Sequence, residues 1–353
     1  MKLLLVDDEP RVVSALERMM MQLADDWEVE IAESGRDALG ILEGDPFDVV
    51  VTDMRMPGMD GVELLGAIHA RWPHMMRIVL SGHTEQDQAV RALASAHQFM
   101  SKPCSPQLLV DAVQRASCRF DRIGPRLASI AARIDRLPSR PSTHEALTAL
   151  LVDPKSDDRH IIEIIATDPG HSAKVLQVAY SPFFRRGQEF RDVRGAVARL
   201  GREVVRSIVA TERGAMFAPP HRVEQLHGQA LCAAVVAAKV VPSVMRREAF
   251  AAGLLSCVGL LVLEECLEQE RALHADVGAY LLALWGLHES IVEAVAFHDS
   301  PKNAPSALRP LVDAVHIGHR VALGMPLDEG VPCAVEREKL DDMCRTIRRG
   351  EVP

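Results

Sequence analysis

The chain has 353 residues, 48% apolar and 25% charged, with a formal net charge of −9. That is material for two to three globular domains, and the acidic balance argues against nucleic acid or an anionic membrane as a bulk partner. The longest apolar stretches, 229–241 and 249–263, fall short of the ~20 residues that span a bilayer, and the seven cysteines include no CxxC pair, so a cytoplasmic protein with free thiols is expected.

The opening MKLLLVDDEP meets two acids after four apolar residues, too short a run for a signal-peptide core. Apolar, β-rich runs then recur at Leu3–Val6, Val29–Ile31, Val49–Thr52, Ile78–Leu80 and Phe99–Met100. Amphipathic stretches near 10–23, 35–43, 61–71, 85–95 and 106–119 lie between and after them. This alternation predicts a parallel sheet covered on both faces, whose ligands bind beyond the carboxyl ends of the strands.

Those ends carry Asp7-Asp8, Asp53, Ser81 and Ser101-Lys102-Pro103. Three carboxylates at one edge repel one another and call for a compensating cation, and hard oxygen donors suit Mg²⁺. Lys102 adds a positive charge and Ser81 a hydroxyl. Metal, ammonium and hydroxyl together suit the oxygens of a phosphoryl group, with a carboxylate as the attacking nucleophile.

The segments VDDEP, VVVTDMRMPGMDG, VLSGHT and FMSKPC resemble the receiver domain of two-component response regulators over residues 1–119. The resemblance implies a five-stranded flavodoxin-like fold with Asp53 as phosphoacceptor. It implies that Asp8, Asp53 and the backbone carbonyl of Arg55 ligate Mg²⁺, with Asp7 acting through water. Ser81 and Lys102 would contact the phosphoryl oxygens, the Lys102–Pro103 bond would be cis, and Phe99 would be the aromatic switch. Arg55 and His83 occupy positions that tune dephosphorylation.

After Phe120 the alternation stops. Residues 120–142 read as a linker, with prolines at 125, 138 and 141 and a helical pattern over Leu127–Leu137. From 143 to 325 the chain reads as helix after helix. Asp168 and Asp192 are N-cap candidates, Pro169 takes the first helical position, and breaks are expected at Gly201 and around Trp285-Gly286. Residues 326–353 read as a tail with a short helix near 335–348. The segments RLPSRPSTHEALTALL, IIATDPGHSAKVLQVAYSPFF, VRGAVARLG and HADVGAYLLALWGL…IVEAVAFHDSP resemble the HDOD output domain, an all-helical relative of the HD and HD-GYP phosphohydrolases, over about 130–325. Tyr180 departs from it, standing where many members carry Asn.

In catalytic HD relatives the helix matching 249–263 carries a His-Asp pair, both metal ligands. Here Ser256 and Cys257 stand in those places, followed by Val258-Gly259. His227, His274 and His298 match ligand positions, and Asp299 stands where a further His often follows. Ser is a poor ligand. A Cys257 thiolate with two histidines is a legitimate zinc set in principle, but a helix apolar on all sides buries its thiol and keeps it neutral. No motif supplies an oxyanion hole for a Cys-His nucleophile. The pair therefore reads as packing in a former metal centre, and no cofactor is expected in the helical domain.

The resulting expectation is a response regulator, not an enzyme. A cognate histidine kinase or phosphotransfer protein would phosphorylate it, and its helical domain would act on a protein effector or on a second copy of the chain. The rivals are a degenerate HD domain that binds a nucleotide such as cyclic di-GMP, and a metal-dependent phosphodiesterase. Nucleic acid is not an expected partner, although VRGAVARLGREVVRSIV carries four arginines.

Overall fold

A computed structural model of the chain describes every residue except 25, 83–85, 154, 186–189, 212–219, 264–265, 329–330, 332, 334 and 349–353. Two compact units emerge. One comprises Met1–Asp135 with the described residues of 180–188 and 283–286; the other comprises Arg136–Ala179, Glu189–Leu282 and Leu287–Pro353.

The first unit is built on five parallel strands, β1 (Lys2–Val6), β2 (Glu28–Ala32), β3 (Val49–Asp53), β4 (Met76–Ser81) and β5 (Gln98–Ser101), in the order β2-β1-β3-β4-β5. Helices α1 (Pro10–Leu23), α2 (Gly35–Gly44), α3 (Gly61–Arg71), α4 (Gln86–Arg91) and α5 (Pro106–Ala132) connect and follow them. Every residue of β3 is buried, as a β-branched run covered on both faces requires. The order reverses between β1 and β3, which sets the crevice at the carboxyl rim.

Local chemistry holds the rim in place. Gly58 takes a left-handed φ of 82° in the turn after β3. Asp60 then caps α3 by accepting from the Glu63 N–H at 2.8 Å, while the Glu63 side chain accepts the Asp60 N–H at 3.1 Å. The Gly61 N–H donates to the Met54 carbonyl at 3.0 Å, drawing the helix start against the end of β3.

The last helix of this unit runs further than the expected 106–119. Gly124, with φ 73°, marks a kink, Pro125 opens the next turn, and helix continues to Ala132. The buried Arg77 guanidinium donates to the carbonyls of Ser95 at 2.6 Å and Ala132 at 3.2 Å, satisfying a helix-terminal acceptor. The helical pattern read to Leu137 stops at Ala132, followed by bends up to Pro138.

The remaining described helices are α6 (Pro141–Val152), α7 (Asp158–Ala166), α8 (Pro169–Tyr180), α9 (Pro182–Arg185), α10 (Val193–Thr211), α11 (Pro220–Val240), α12 (Arg246–Leu255), α13 (Val258–Val262), α14 (Glu268–Arg271), α15 (His274–Leu284), α16 (Glu289–Phe297), α17 (Arg309–Ala322) and α18 (Arg337–Arg348). In the second unit α11 is the central element, packed by α12 and α17. The approach is close because the facing residues are small: a Cβ at Gly253 would lie 2.8 Å from the Ala234 Cα, and one at Gly318 would meet the Ala233 carbonyl. Arg202 of α10 ties down the α6–α7 connection by donating to the carbonyls of Leu150, Asp153 and Ser156. The tail expected from 326 onward carries a packed helix: Leu340, Cys344 and Ile347 of α18 join a buried cluster with Cys232, Val236 and Ile317.

The Gly61 approach generates a test. A Cβ there would run into the backbone carbonyl of Asp53, which cannot give way without moving β3. Gly61→Ala is expected to cost about 1–3 kcal/mol, the usual range for overpacking. A lowered denaturant midpoint would report it, and an unchanged midpoint would show that the rim is pliable.

Candidate functional site

Strand register assembles the rim. Val6 pairs with Thr52, so the next residues, Asp7 and Asp53, emerge side by side. Ser81 pairs with Ser101, so Lys102 leaves β5 beside the end of β4, and its N–H donates to the Ser81 carbonyl at 2.8 Å. The Lys102 ammonium lies 2.5 Å from Asp53 Oδ1 and 2.7 Å from Asp7 Oδ2. Asp7 Oδ1 accepts the Glu9 N–H at 2.9 Å and Asp53 Oδ2 accepts the Arg55 N–H at 3.2 Å. Asp7, Asp8 and Asp53 each offer a carboxylate oxygen within 4.8 Å of the others. The bond before Pro103 is cis. Ser81 is fully buried, and His83 lies outside the described residues.

The rim carries more negative charge than one ammonium neutralises. Burial raises the Asp53 carboxyl above its ordinary range; Lys102 opposes that shift and Asp7 adds to it. Burial works against the charge of Lys102, yet Asp53 and Asp7 hold its pKa above the ordinary lysine value. Both groups shift upward, as expected where carboxylates outnumber cations. A donor set of three clustered carboxylates with unmet positive demand fits Mg²⁺.

Phe99 is 1% exposed, and its ring meets that of Phe184 edge to face at 6.2 Å within the same compact unit. The neighbouring Gln98 donates its amide to the carbonyls of Leu284 at 3.0 Å and Ala283 at 3.3 Å. Nothing in the alternating pattern of the first third signalled these partners.

In the second unit the expected residues of a degenerate metal centre make two sets of contacts. His227 turns to Asp168: Nδ1 lies 3.3 Å from Asp168 Oδ2, and Nε2 lies 3.0 Å from the Pro138 carbonyl. Asp168 caps α8 by accepting the His171 N–H at 3.0 Å, and it also accepts from the Ser139 hydroxyl at 2.8 Å. Burial disfavours its charge, but His171 and His227 hold the carboxyl well below the ordinary range. The sequence offers Asp168 as a cap and gives no sign of its pairing with His227.

His274, His298 and Asp299 gather with His319, a residue the sequence did not single out; each offers a donor atom within 4.8 Å of the others. Burial pushes the His298 imidazole down to about 4, with Asp299 opposing and His274 adding. Burial and the neighbouring histidines also hold His319 well below the ordinary range. Ser256 and Cys257 line a cavity with His319, but Cys257 is not among the clustered donors. The Ser256 hydroxyl donates to the Gly253 carbonyl at 2.8 Å and the Cys257 thiol to the Leu254 carbonyl at 3.5 Å. Burial drives the Cys257 thiol up to about 12.

Residues 3–114 match the response regulator receiver domain and residues 137–273 the HDOD domain. The chain is 31% identical over 126 residues to the chemotaxis protein CheY of Pseudomonas aeruginosa, covering 35% of this chain and 98% of that protein. It is 37% identical over 115 residues to the hydrogenase transcriptional regulatory protein HoxA of Cupriavidus necator, covering 32% of this chain. That match spans only 23% of HoxA, about a quarter of its length. The solved MmoQ response regulator of Methylococcus capsulatus aligns over 59% of this chain and 94% of its own at 21% identity, with a TM-score of 0.49. The receiver match and the near-complete coverage of CheY show that this chain belongs to the response regulators, with an HDOD domain following its receiver domain.

Two measurements follow. A carboxyl whose folded pKa is raised binds its proton more tightly when folded, so stability falls as pH rises through that pKa and stays reduced above it. In Mg²⁺-free buffer at neutral pH, Asp53→Asn is therefore expected to unfold at a higher temperature than the parent. The gap should narrow on acidification to the ordinary aspartate range or on adding Mg²⁺; the reverse ranking would mean that Lys102 dominates. Alkylation followed by mass spectrometry addresses the thiols. In the native protein the exposed Cys118 is expected to react while Cys257, 2% exposed, stays unmodified until denaturation. Rapid native labelling of Cys257 would contradict its role as packing.

Proposed function

We propose that the chain is a cytoplasmic phosphorelay regulator in which Asp53 accepts a phosphoryl group from a phosphohistidine of a histidine kinase or phosphotransfer protein. The convergence of Asp7, Asp8, Asp53 and Lys102 at one rim carries this reading. An Asp53 carboxylate oxygen attacks phosphorus, the P–N bond breaks, the imidazole leaves with its electron pair, and an acyl phosphate forms. Lys102 neutralises oxygens of the transferred group, and the Ser81 hydroxyl donates to one of them. Asp8, Asp53 and the Arg55 carbonyl would hold Mg²⁺, with Asp7 acting through water; bound there, the ion supplies charge neutralisation between the carboxylates and the incoming phosphoryl group.

The acyl phosphate carries about 1.5–2 negative charges where the carboxylate carried one. In this reading Lys102 follows the new charge, Ser81 moves toward it, and Phe99 responds on β5 as the switch. The HDOD domain passes the change on through contacts with a protein effector or with a second copy of the chain. Domain limits of 1–119, 120–142, 143–325 and 326–353 accompany this reading. Hydrolysis by the helical domain is not favoured, because Ser256 and Cys257 spend their donors on backbone carbonyls one turn back. Among the described residues no helix is long and apolar enough to cross a membrane.

Radiolabelled phosphotransfer from a histidine kinase or a small phosphodonor tests the assignment. The parent is expected to take up a hydroxylamine-labile label that requires Mg²⁺. Asp53→Asn should take up none, and Lys102→Ala should slow uptake by roughly 100-fold, the usual cost of losing one charge-stabilising donor. Persistent labelling of Asp53→Asn would move the phosphoacceptor elsewhere.

A further inference from the structure

The four-residue cluster His274, His298, Asp299 and His319 lies beyond the segment that matches the HDOD domain, which ends at residue 273. His274 opens α15, His298 caps the end of α16 with Asp299 beside it, and His319 lies in the last turn of α17. Three successive α-helices thus meet through their donor groups.

Hydrogen bonding fixes what the rings present to one another. His298 Nδ1 lies 2.6 Å from the Val295 carbonyl and His274 Nδ1 lies 3.2 Å from the Arg271 carbonyl. A carbonyl only accepts, so each Nδ1 carries the hydrogen and each neutral ring has a bare lone pair on Nε2. Those two Nε2 atoms face each other at 3.2 Å. Two lone pairs at that separation repel unless a cation sits between or beside them. Asp299 brings a carboxylate to the same place, 3.5 Å from His274 Nε2 and 3.6 Å from His298 Nε2. The His319 ring closes the group, with its centroid 4.5 Å from that of His298 and 5.4 Å from that of His274. Backbone carbonyls that orient metal-binding imidazoles through their far nitrogen are the usual outer support of such centres.

We propose that His274, His298, Asp299 and His319 bind one divalent transition-metal ion of the zinc type. Three imidazole nitrogens and one carboxylate oxygen form a complete tetrahedral set for zinc and a poor one for magnesium, which wants six oxygens. The set is mononuclear and includes neither His227, which is committed to Asp168, nor Cys257. With four protein donors the ion leaves no position for an activated water, so its role is to pin α15, α16 and α17 together. The Asp299 side chain is 44% exposed and the His298 side chain fully buried, so the ion enters from the Asp299 side.

The test uses the full-length protein, stripped with chelator and titrated with zinc in excess Mg²⁺ so that the receiver carboxylates are occupied. One zinc per chain is expected after desalting, by elemental analysis, with a rise in thermal midpoint. Asp299→Asn, a change at an exposed side chain, and His319→Gln should each weaken zinc binding at least tenfold, on the scale seen when metal-site partners are removed. Cobalt substituted for zinc should give a visible tetrahedral spectrum that Asp299→Asn abolishes. Should His319→Gln fail to fold, Asp299→Asn alone decides. Asp53→Asn should leave zinc uptake unchanged. Absence of retained zinc, retention undiminished in Asp299→Asn, or loss confined to Asp53→Asn would each overturn the proposal.

Discussion

Everything at the receiver rim follows from one crowding of charge: Asp7, Asp8 and Asp53 cluster, and the Lys102 ammonium reaches two of them. Like charges about 4 Å apart repel by roughly 4 kcal/mol at the effective dielectric near a protein surface. The fold does not avoid this cost. It enforces it, because parallel register sets Asp7 beside Asp53, the Gly61 approach locks the end of β3, and the capping box on α3 holds the intervening turn. A rim built to hold negative charge together is a rim that accepts cations readily. Under the proposed phosphotransfer, Lys102 would be the partner of the incoming phosphoryl group.

Much of this was legible because the carboxyl rim is written in consecutive residues. A β-rich run followed at once by Asp, Ser or Lys places that side chain at the strand end, and parallel pairing does the rest. The sheet, its class and the helices between strands came from the same periodicity. Helix α5 was less legible. Gly124 and Pro125 mark a kink, and the helix beyond them ends at Ala132, whose carbonyl accepts from Arg77, more than fifty residues earlier. Helix α18 shows the same limit. Its amphipathic pattern was visible, whereas its burial against Cys232 and Ile317 depends on elements about twenty to one hundred residues away.

The histidines of the helical unit show why matching positions is weaker than reading partners. His227, His274 and His298 look like remnants of one centre when aligned in sequence. The first contacts a buried carboxylate that also bonds His171, while the other two join a group rich in imidazole nitrogens. The replacement of His-Asp by Ser256-Cys257 is the signal on which the sequence suggests a lost centre. It carried no information about His319, which arrives from α17 through the close packing of that helix on α11 permitted by Gly318.

The two clusters therefore stand in complementary chemical relation. At the rim, hard oxygens in excess demand a hard cation that exchanges freely with water and with phosphoryl oxygens. Among the histidines, nitrogen lone pairs in excess demand a borderline cation that nitrogen binds more tightly than oxygen does. Donor type alone keeps the two demands from competing within one chain. Under the proposed phosphotransfer the first unit gains and loses charge, and a second unit whose helices are held by bonds outside that cycle would keep its packing. Arg202, bonded to the α6–α7 connection, and the Asp168 pair supply that kind of fixation at one part of the helical unit. The His274–His319 group occupies the part where α15, α16 and α17 meet, and there the protein offers imidazoles in place of a buried carboxylate.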